Sequence, residues 1–309
     1  KKVKKIAEEL GYHPNIMARC LVQQRSFMLG VVVPNLRISF FSEVTRGIYE
    51  RARERGYEAI IMVNDENPEV EKRNLQFLSA LAVDGILIDA VPGEHNKALF
   101  ERLVSQRIPL VAYDRLVDGI WLDSVTIDDE KACYDVVTRL YEQGRKHVTF
   151  LGPTEKLFVA KGRYRGYRKA LKEYKLDYDS RRVIPCEIDP LDAERKTNEA
   201  LAAGISMDAI ICVGGQVAYG AGKAILKRNL NIPGDIMLAE FGDNDIVARL
   251  GVPFLTVYQH PYEMGIQAVD LILKKINSSI ANSPSEHVII NTQLIYHEIG
   301  IQHQSAQPV

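Results

Sequence analysis

From residue 29 onward, short runs of β-branched and aliphatic residues alternate with stretches of helical period, and that alternation constrains the fold more than any other feature. LGVVVP (29–34), YEAIIMVN (57–64), DGILIDA (84–90), IPLVAYD (108–114), SVTID (124–128) and HVTFLGP (147–153) read as strands of a first series. Helical patterns separate them, including 42–55, with Val44, Ile48 and Ala52 on one face, and 68–81. The alternation then restarts with a basic helix over 159–175, a short strand at 182–186 and a helix over 193–202. The strand DAIICV (208–213), a helix over 216–229 and the strand IMLAEF (236–241) follow. Continuous apolar runs mean strands covered on both faces, hence parallel sheets flanked by helices. The two series predict an α/β protein of two doubly wound parallel-sheet subdomains. PFLTVYQ (253–259), a helix over 261–276 and strands at 287–290 and 292–299 come late, and are expected to recross the boundary as a multi-crossover hinge. Ligands of such sheets bind beyond the strand C-termini, so the cleft between the sheets is the expected site.

Charge is distributed unevenly. Residues 1–28 hold six Lys/Arg against Glu8 and Glu9, whereas the remainder holds 33 bases against 38 acids. A basic end on an acidic body points to an anionic partner for the N-terminus, the alternative being a solvated helix face. The four cysteines, Cys20, Cys133, Cys186 and Cys212, show no CxxC spacing, and the last two fall in apolar runs as core thiols. That usage suits a reducing cytoplasm. No apolar run approaches the roughly 20 residues of a membrane span, so a soluble, cytoplasmic chain is expected. The sequence opens inside a helical pattern (KKVKKIAEEL, 1–10), and an upstream segment is therefore expected.

Few residues suggest catalysis or a cofactor. Gly214, Gly215, Gly220 and Gly222 follow a strand without G-x-G-x-x-G spacing, and no phosphate-loop, nucleophile-elbow or metal-binding His motif occurs. No cofactor and no metal are expected. Polar residues at strand ends are more informative. Asp128 and Asp129 suit helix N-caps, whereas Asp114 has no helix to cap at once and suits a sugar-hydroxyl acceptor. Arg163 opens RYRGYRKAL, where its guanidinium can fork onto a ligand in the cleft; alternatively it shares one solvated face with Arg165, Arg168, Lys169 and Lys172. Phe40 and Phe41, at the cleft mouth, can stack on a sugar or base, or staple a helix start.

Along nearly its whole length the chain resembles the lac repressor family (LacI/GalR type) of bacterial transcription regulators. The resemblance is carried by GYHPNIMARCL, LGVVVPN, VDGIL, IPLVAYDR, SVTIDD, GRKHVTFLGP, RYRGYRKAL and LTVYQHPYEMG, in that order. It implies a helix-turn-helix headpiece, of which residues 1–10 would be the last helix, then a hinge helix and a core like type I periplasmic sugar-binding proteins. Asn15 to Gln23 would be that hinge helix, with Asn15 as its N-cap, Ala18 allowing two copies to approach, Arg19 meeting phosphate and Leu21 as the wedge into the minor groove. Nine residues are too few to hold a helix alone in water, so it would form only on DNA and in pairs. Phe40, Phe41, Asp114, Arg163 and Asp243 would line the effector pocket. The pocket also departs from the family: Gly214-Gly215 replaces Asn-Asp or Thr-Asp, Glu240-Phe241-Gly242-Asp243 replaces Gly-Phe-Asp-Asp, and a stacking aromatic near Glu187-Ile188 is absent. These departures imply an atypical effector, or a partner protein in its role.

The resemblance thus implies a homodimeric repressor of double-stranded operator DNA, controlled by a small, sugar-like effector. Residues 1–28 would form the end of the headpiece and the hinge helix. Residues 29–152 with 258–282 would form the N-terminal subdomain, and 153–257 with 283–303 the C-terminal one. The alternatives are a transporter's solute-binding protein, against which the basic segment speaks, and an enzyme on the same fold, which no constellation supports.

Overall fold

The computed structural model describes residues 25–117, 119–155, 157–242, 244–278 and 285–298. Asn15, Ala18, Arg19, Leu21 and Asp243 lie outside them. Two six-stranded sheets form the two lobes.

The first lobe contains β1 (Met28–Val33), α1 (Ser39–Glu54), β2 (Glu58–Val63), α2 (Pro68–Ala80), β3 (Gly85–Ile88), α3 (Lys97–Ser105), β4 (Leu110–Tyr113) and β5 (Asp123–Ile127). Its sheet is ordered β11-β5-β4-β3-β1-β2, where β11 (His287–Ile290) pairs parallel to β5. The second lobe begins with α4 (Asp129–Glu142), β6 (Val148–Leu151), α5 (Phe158–Glu173), β7 (Val183–Ile184) and α6 (Pro190–Ala202). It continues through β8 (Ala209–Cys212), α7 (Gly215–Lys227), β9 (Met237–Phe241), α8 (Asn244–Ala248) and β10 (Phe254–Tyr258). Its sheet is ordered β12-β10-β9-β8-β6-β7, with β12 (Gln293–His297) antiparallel to β10. In each sheet the chain winds outward from one strand, β1 or β6, in both directions, and that strand marks the switch point where a crevice opens.

Local chemistry sets the helix starts. Asn67 accepts from the backbone N–H groups of Glu69 and Val70 ahead of Pro68, and Asp189 accepts from Leu191 and Asp192 ahead of Pro190. On α1, Val44, Ile48 and Ala52 are buried at i, i+4 and i+8, as the sequence predicts. Cys133, Cys186 and Cys212 are buried thiols.

Two boundaries differ from the expected ones. HVTFLGP does not close the first sheet: its strand β6 pairs with β7 and β8 in the second, and α4 before it buries Ala132, Cys133, Val136, Val137 and Leu140 in the second core. The C-terminal stretch from 283 is likewise split, because β11 joins the first sheet and only β12 the second. The cause is that parallel neighbours need no sequence adjacency, so a strand pattern says nothing about which sheet receives it. The chain therefore crosses between lobes after β5, after β10 and between β11 and β12. After β10 it forms α9 (Pro261–Asn277), whose Met264, Ala268, Val269 and Ile272 pack in the first core.

The helices α1 and α9 touch backbone to backbone. A Cβ on Gly47 would overlap the carbonyl oxygen of Tyr262, and one on Gly265 that of Val44. Gly265→Ala is accordingly expected to destabilise the protein by about 1–3 kcal/mol through overpacking, read as a lower urea midpoint at unchanged slope.

Candidate functional site between the lobes

The strand C-termini of both sheets, with the helix starts that follow them, build the site. Arg163, on the second turn of α5, is 4% exposed and makes its centre. Its Nε donates to Asp129 Oδ1 at 2.7 Å, Nη1 donates to the carbonyl of Val213 after β8, and Nη2 reaches Gln259 Oε1 at 3.4 Å. The guanidinium carbon lies 4.1 Å from the centroid of Phe241, at the end of β9. Arg163 thus ties the start of α4, two strand ends of the second sheet and the crossover segment after β10.

The basic stripe of α5 divides here. Arg165 and Lys169 stay on the surface, both paired with Glu130, and Arg168 lies over the ring of Tyr178. Arg163 alone of this group turns inward. Asp128 caps α4 by accepting from the N–H of Lys131, but the neighbouring Asp129 serves Arg163 and is not a cap. Burial pushes the Asp129 carboxyl up to about 6 against the opposing pull of Arg163.

On the first lobe, Asp114 follows β4 in a left-handed conformation (φ 57°) and is 7% exposed. Such a φ is uncommon outside glycine, and strain of this kind collects at functional sites. Beside it, the buried Arg115 forks onto Glu66, Nη1 to Oε2 at 2.8 Å and Nη2 to Oε1 at 2.9 Å. Arg115 Nε stands 3.5 Å from Asp89 Oδ1, at the end of β3, and 3.8 Å from Asp114 Oδ2. Burial raises the carboxyls of both Asp89 and Asp114, with Arg115 opposing. The two walls feel one another, since Arg163 acts on Asp114 and Asp114 on Asp129.

Phe40 and Phe41 are buried and pack edge to face, their centroids 5.3 Å apart, on the first turn of α1. The ring of Phe41 approaches the guanidinium of Arg115, and Phe40 lies 3.6 Å from where a Cβ on Gly242 would stand. That same Cβ would overlap the amide nitrogen of Gln259, so the side chain from the crossover occupies the space a residue at 242 would use. A Cβ on Gly214 would meet nothing nearer than the carbonyl oxygen of Phe241, at 4.0 Å.

The structure therefore brings Phe40, Phe41, Asp114 and Arg163 to one cleft. It adds Glu66, Asp89, Arg115 and Gln259, which the sequence does not single out, and Asp129, which the sequence offers only as a helix N-cap. A usable signal exists for Asp89, an acid inside the otherwise apolar run ILIDA, and for Arg115, which follows Asp114 at a strand end. Glu240 is fully buried in β9, where it accepts the hydroxyl of Thr256 at 2.6 Å. Among the described residues no cluster suited to a metal ion occurs, and no helix is long and apolar enough to cross a membrane.

Two doubly wound lobes, three crossovers and a polar cleft define a core of the periplasmic-binding-protein type. Residues 26–298 match the family described as periplasmic binding proteins and sugar binding domain of LacI family, and the chain belongs to it. Among known proteins it is 29% identical over 298 residues to the HTH-type transcriptional regulator RegA of Clostridium saccharobutylicum, covering 95% of this chain and 89% of that one. To catabolite control protein A of Priestia megaterium it is 29% identical over 286 residues, 92% and 85% of the two chains. The solved Lac repressor bound to ONPG in the repressed state shares the fold, with a TM-score of 0.81 at 21% identity over 95% of this chain and 88% of that one.

Proposed function

We propose that the protein is a DNA-binding transcriptional regulator, acting as a cytoplasmic homodimeric repressor, whose operator affinity is set by a small polar effector in the cleft. The observation that carries this reading is the junction between the basic N-terminal stretch and the first lobe. Asp84, ahead of β3, accepts from the backbone N–H groups of Ser26 and Phe27 at 2.7 and 3.1 Å and from the Ser26 hydroxyl at 2.8 Å. Arg25 donates to Asn277 at the end of α9. Residue 25 is thereby fixed to the lobe that carries Phe40, Phe41 and Asp114. A rotation of that lobe about the three crossovers moves the attachment point of the segment before it.

In the mechanism proposed, two copies of Asn15–Gln23 fold as hinge helices only when paired in the minor groove, Leu21 parting a base step and Arg19 meeting phosphate. The effector, held by Arg163 and Asp114 with Phe40, Phe41 and Asp243, changes the angle between the lobes. It thereby changes the spacing of the two attachment points. A ligand acts only through its differential affinity for the two lobe arrangements, and coupling of about 5- to 150-fold in operator affinity is the ordinary range. The similarity to regulators over nearly the whole chain favours this reading over a transporter's binding protein or an enzyme.

The test is operator binding by the full-length protein. Leu21→Ala is expected to weaken binding to a palindromic operator by on the order of 10- to 100-fold, since the wedge offsets the cost of bending. Binding to random duplex, which depends on phosphate contacts and falls steeply with salt, should change little. Equal losses on both DNAs would refute the wedge.

A further inference from the structure

The first wall of the cleft holds more carboxyl groups than cations. Asp89 is fully buried, and neither of its carboxylate oxygens accepts a hydrogen bond. Arg115 is the nearest cation, but two of its nitrogens are committed to Glu66. Its Nε, also buried and without a hydrogen bond, stands 3.5 Å from Asp89 and 3.8 Å from Asp114. At those distances both contacts are electrostatic, outside normal hydrogen-bond length. One guanidinium therefore faces three carboxylates on the first lobe. On the opposite wall Arg163 brings no surplus, because Asp129 balances it at 2.7 Å.

Buried charges are ordinarily paired, and an oxygen with no donor is costly to keep out of water. A ligand of hydroxyl groups alone would supply donors to Asp89 and Asp114 and leave the charge as it is. An ammonium supplies three N–H donors and the missing positive charge together. Phe40 and Phe41 are buried on the same lobe, and the ring of Phe41 already faces one cation, the guanidinium of Arg115 at 5.8 Å. Across from them Gly214 leaves bare backbone with room beside it, and Gly242 presents only the amide of Gln259. Among the described residues the second wall thus offers Arg163 and Gln259, both already engaged with one another, while the first is rich in acceptors for a cation.

We propose that the effector carries a protonated amine, drawn to Asp114 at the cleft surface and to Asp89 behind it. The inference rests on the cleft being the effector site, and the experiment separates the two ideas. Amino sugars and linear amines share this chemistry, so matched pairs are titrated calorimetrically into the full chain near neutral pH. The pairs are 1,4-diaminobutane against 1,4-butanediol, and 2-amino-2-deoxyglucose against glucose and its N-acetylated form. At least one amine is expected to bind about 30-fold or more tightly than its neutral counterpart, a preference of the size two desolvated carboxylates confer. Asp89→Asn is expected to abolish that preference while raising the thermal midpoint of the ligand-free protein by about 2–4 °C, because it removes a buried carboxyl that no donor satisfies. A variant that is more stable and yet blind to the amine cannot be explained by misfolding. A neutral member binding as well as its amine overturns the proposal and leaves the cleft as the effector site. Failure of every amine to bind at millimolar concentration also overturns it. Amine binding that survives both Asp89→Asn and Arg163→Lys overturns the proposal and the cleft assignment together.

Discussion

Replacing Arg163 with alanine is expected to lower the free energy of unfolding by about 3–5 kcal/mol, the range for breaking a buried ion pair from one side. Both partners are 5% exposed at their side chains, so the orphaned Asp129 has no access to water for its charge. Val213 and Gln259 lose a donor as well, and Phe241 loses the cation over its ring. Asp129→Ala removes the acid and leaves Arg163 its other acceptors, so it should cost less. The double variant should be more stable than the sum of the two single losses predicts, which a double-mutant cycle in urea reads directly. Proton linkage gives a second signature. The folded Asp129 carboxyl, at about 6, lies above its unfolded value near 4. Its contribution to stability is therefore present below about pH 4 and is lost as pH rises through about 6. Without Arg163 the carboxyl rises further, the window extends toward higher pH, and the deficit of the variant should be larger at pH 8 than at pH 5.5. An equal deficit at both would show that Arg163 acts through packing alone.

Arg115→Met is expected to have an effect of similar size on the opposite wall, about 3–5 kcal/mol at pH 8, for a different reason. Arg163 has one carboxylate partner, whereas Arg115 is the cation nearest to Asp89, Asp114 and Glu66. Glu66, with 45% of its side chain exposed, can turn to water, but Asp89 and Asp114 cannot. Burial already raises both aspartates. An acid raised on folding favours the native state below its unfolded value and loses that contribution as pH climbs to the folded one. The variant should consequently approach wild-type stability in acid and fall away steadily toward pH 8. Arg115→Lys keeps the charge without the fork and should lie between the two. Urea unfolding across that pH range decides it, and a pH-independent loss would rule out the carboxylates as the cause.

The contrast between these arginines shows where sequence reading succeeds and fails. Strand and helix order was legible, because continuous apolar runs and 3.6-residue periods have direct geometric causes. Sheet membership was not: β6 and β11 look like any buried strand, and only long-range pairing assigns them to a lobe. Asp128 and Asp129 are equally good caps on paper. One residue of helical phase, about 100°, decides that the first caps α4 while the second turns to Arg163. Arg163 itself could have been separated from its basic neighbours, since Tyr167 and Ala170 continue its stripe into the core while Arg165 and Lys169 fall off it. Asp89, Arg115 and Gln259 become site residues only because three separate strand ends converge. Their spacing of 26 and then 144 residues along the chain leaves no local trace.

The three crossovers also govern the order in which the molecule can be made. Neither lobe is one contiguous stretch: the first core needs α9, and its sheet needs β11 at 287–290, long after β5 ends at Ile127. At ribosomal rates of about 5–20 residues per second, on the order of ten seconds or more separates those two events. The face of α1 stays uncovered until α9 is made, and the β5 edge stays unpaired until β11 is made, by which point the second lobe lacks only β12. The lobe to which Arg25 and Ser26 are tied is thus completed late, and a ribosome that stalls before residue 287 leaves an adhesive sheet edge for chaperones to shield.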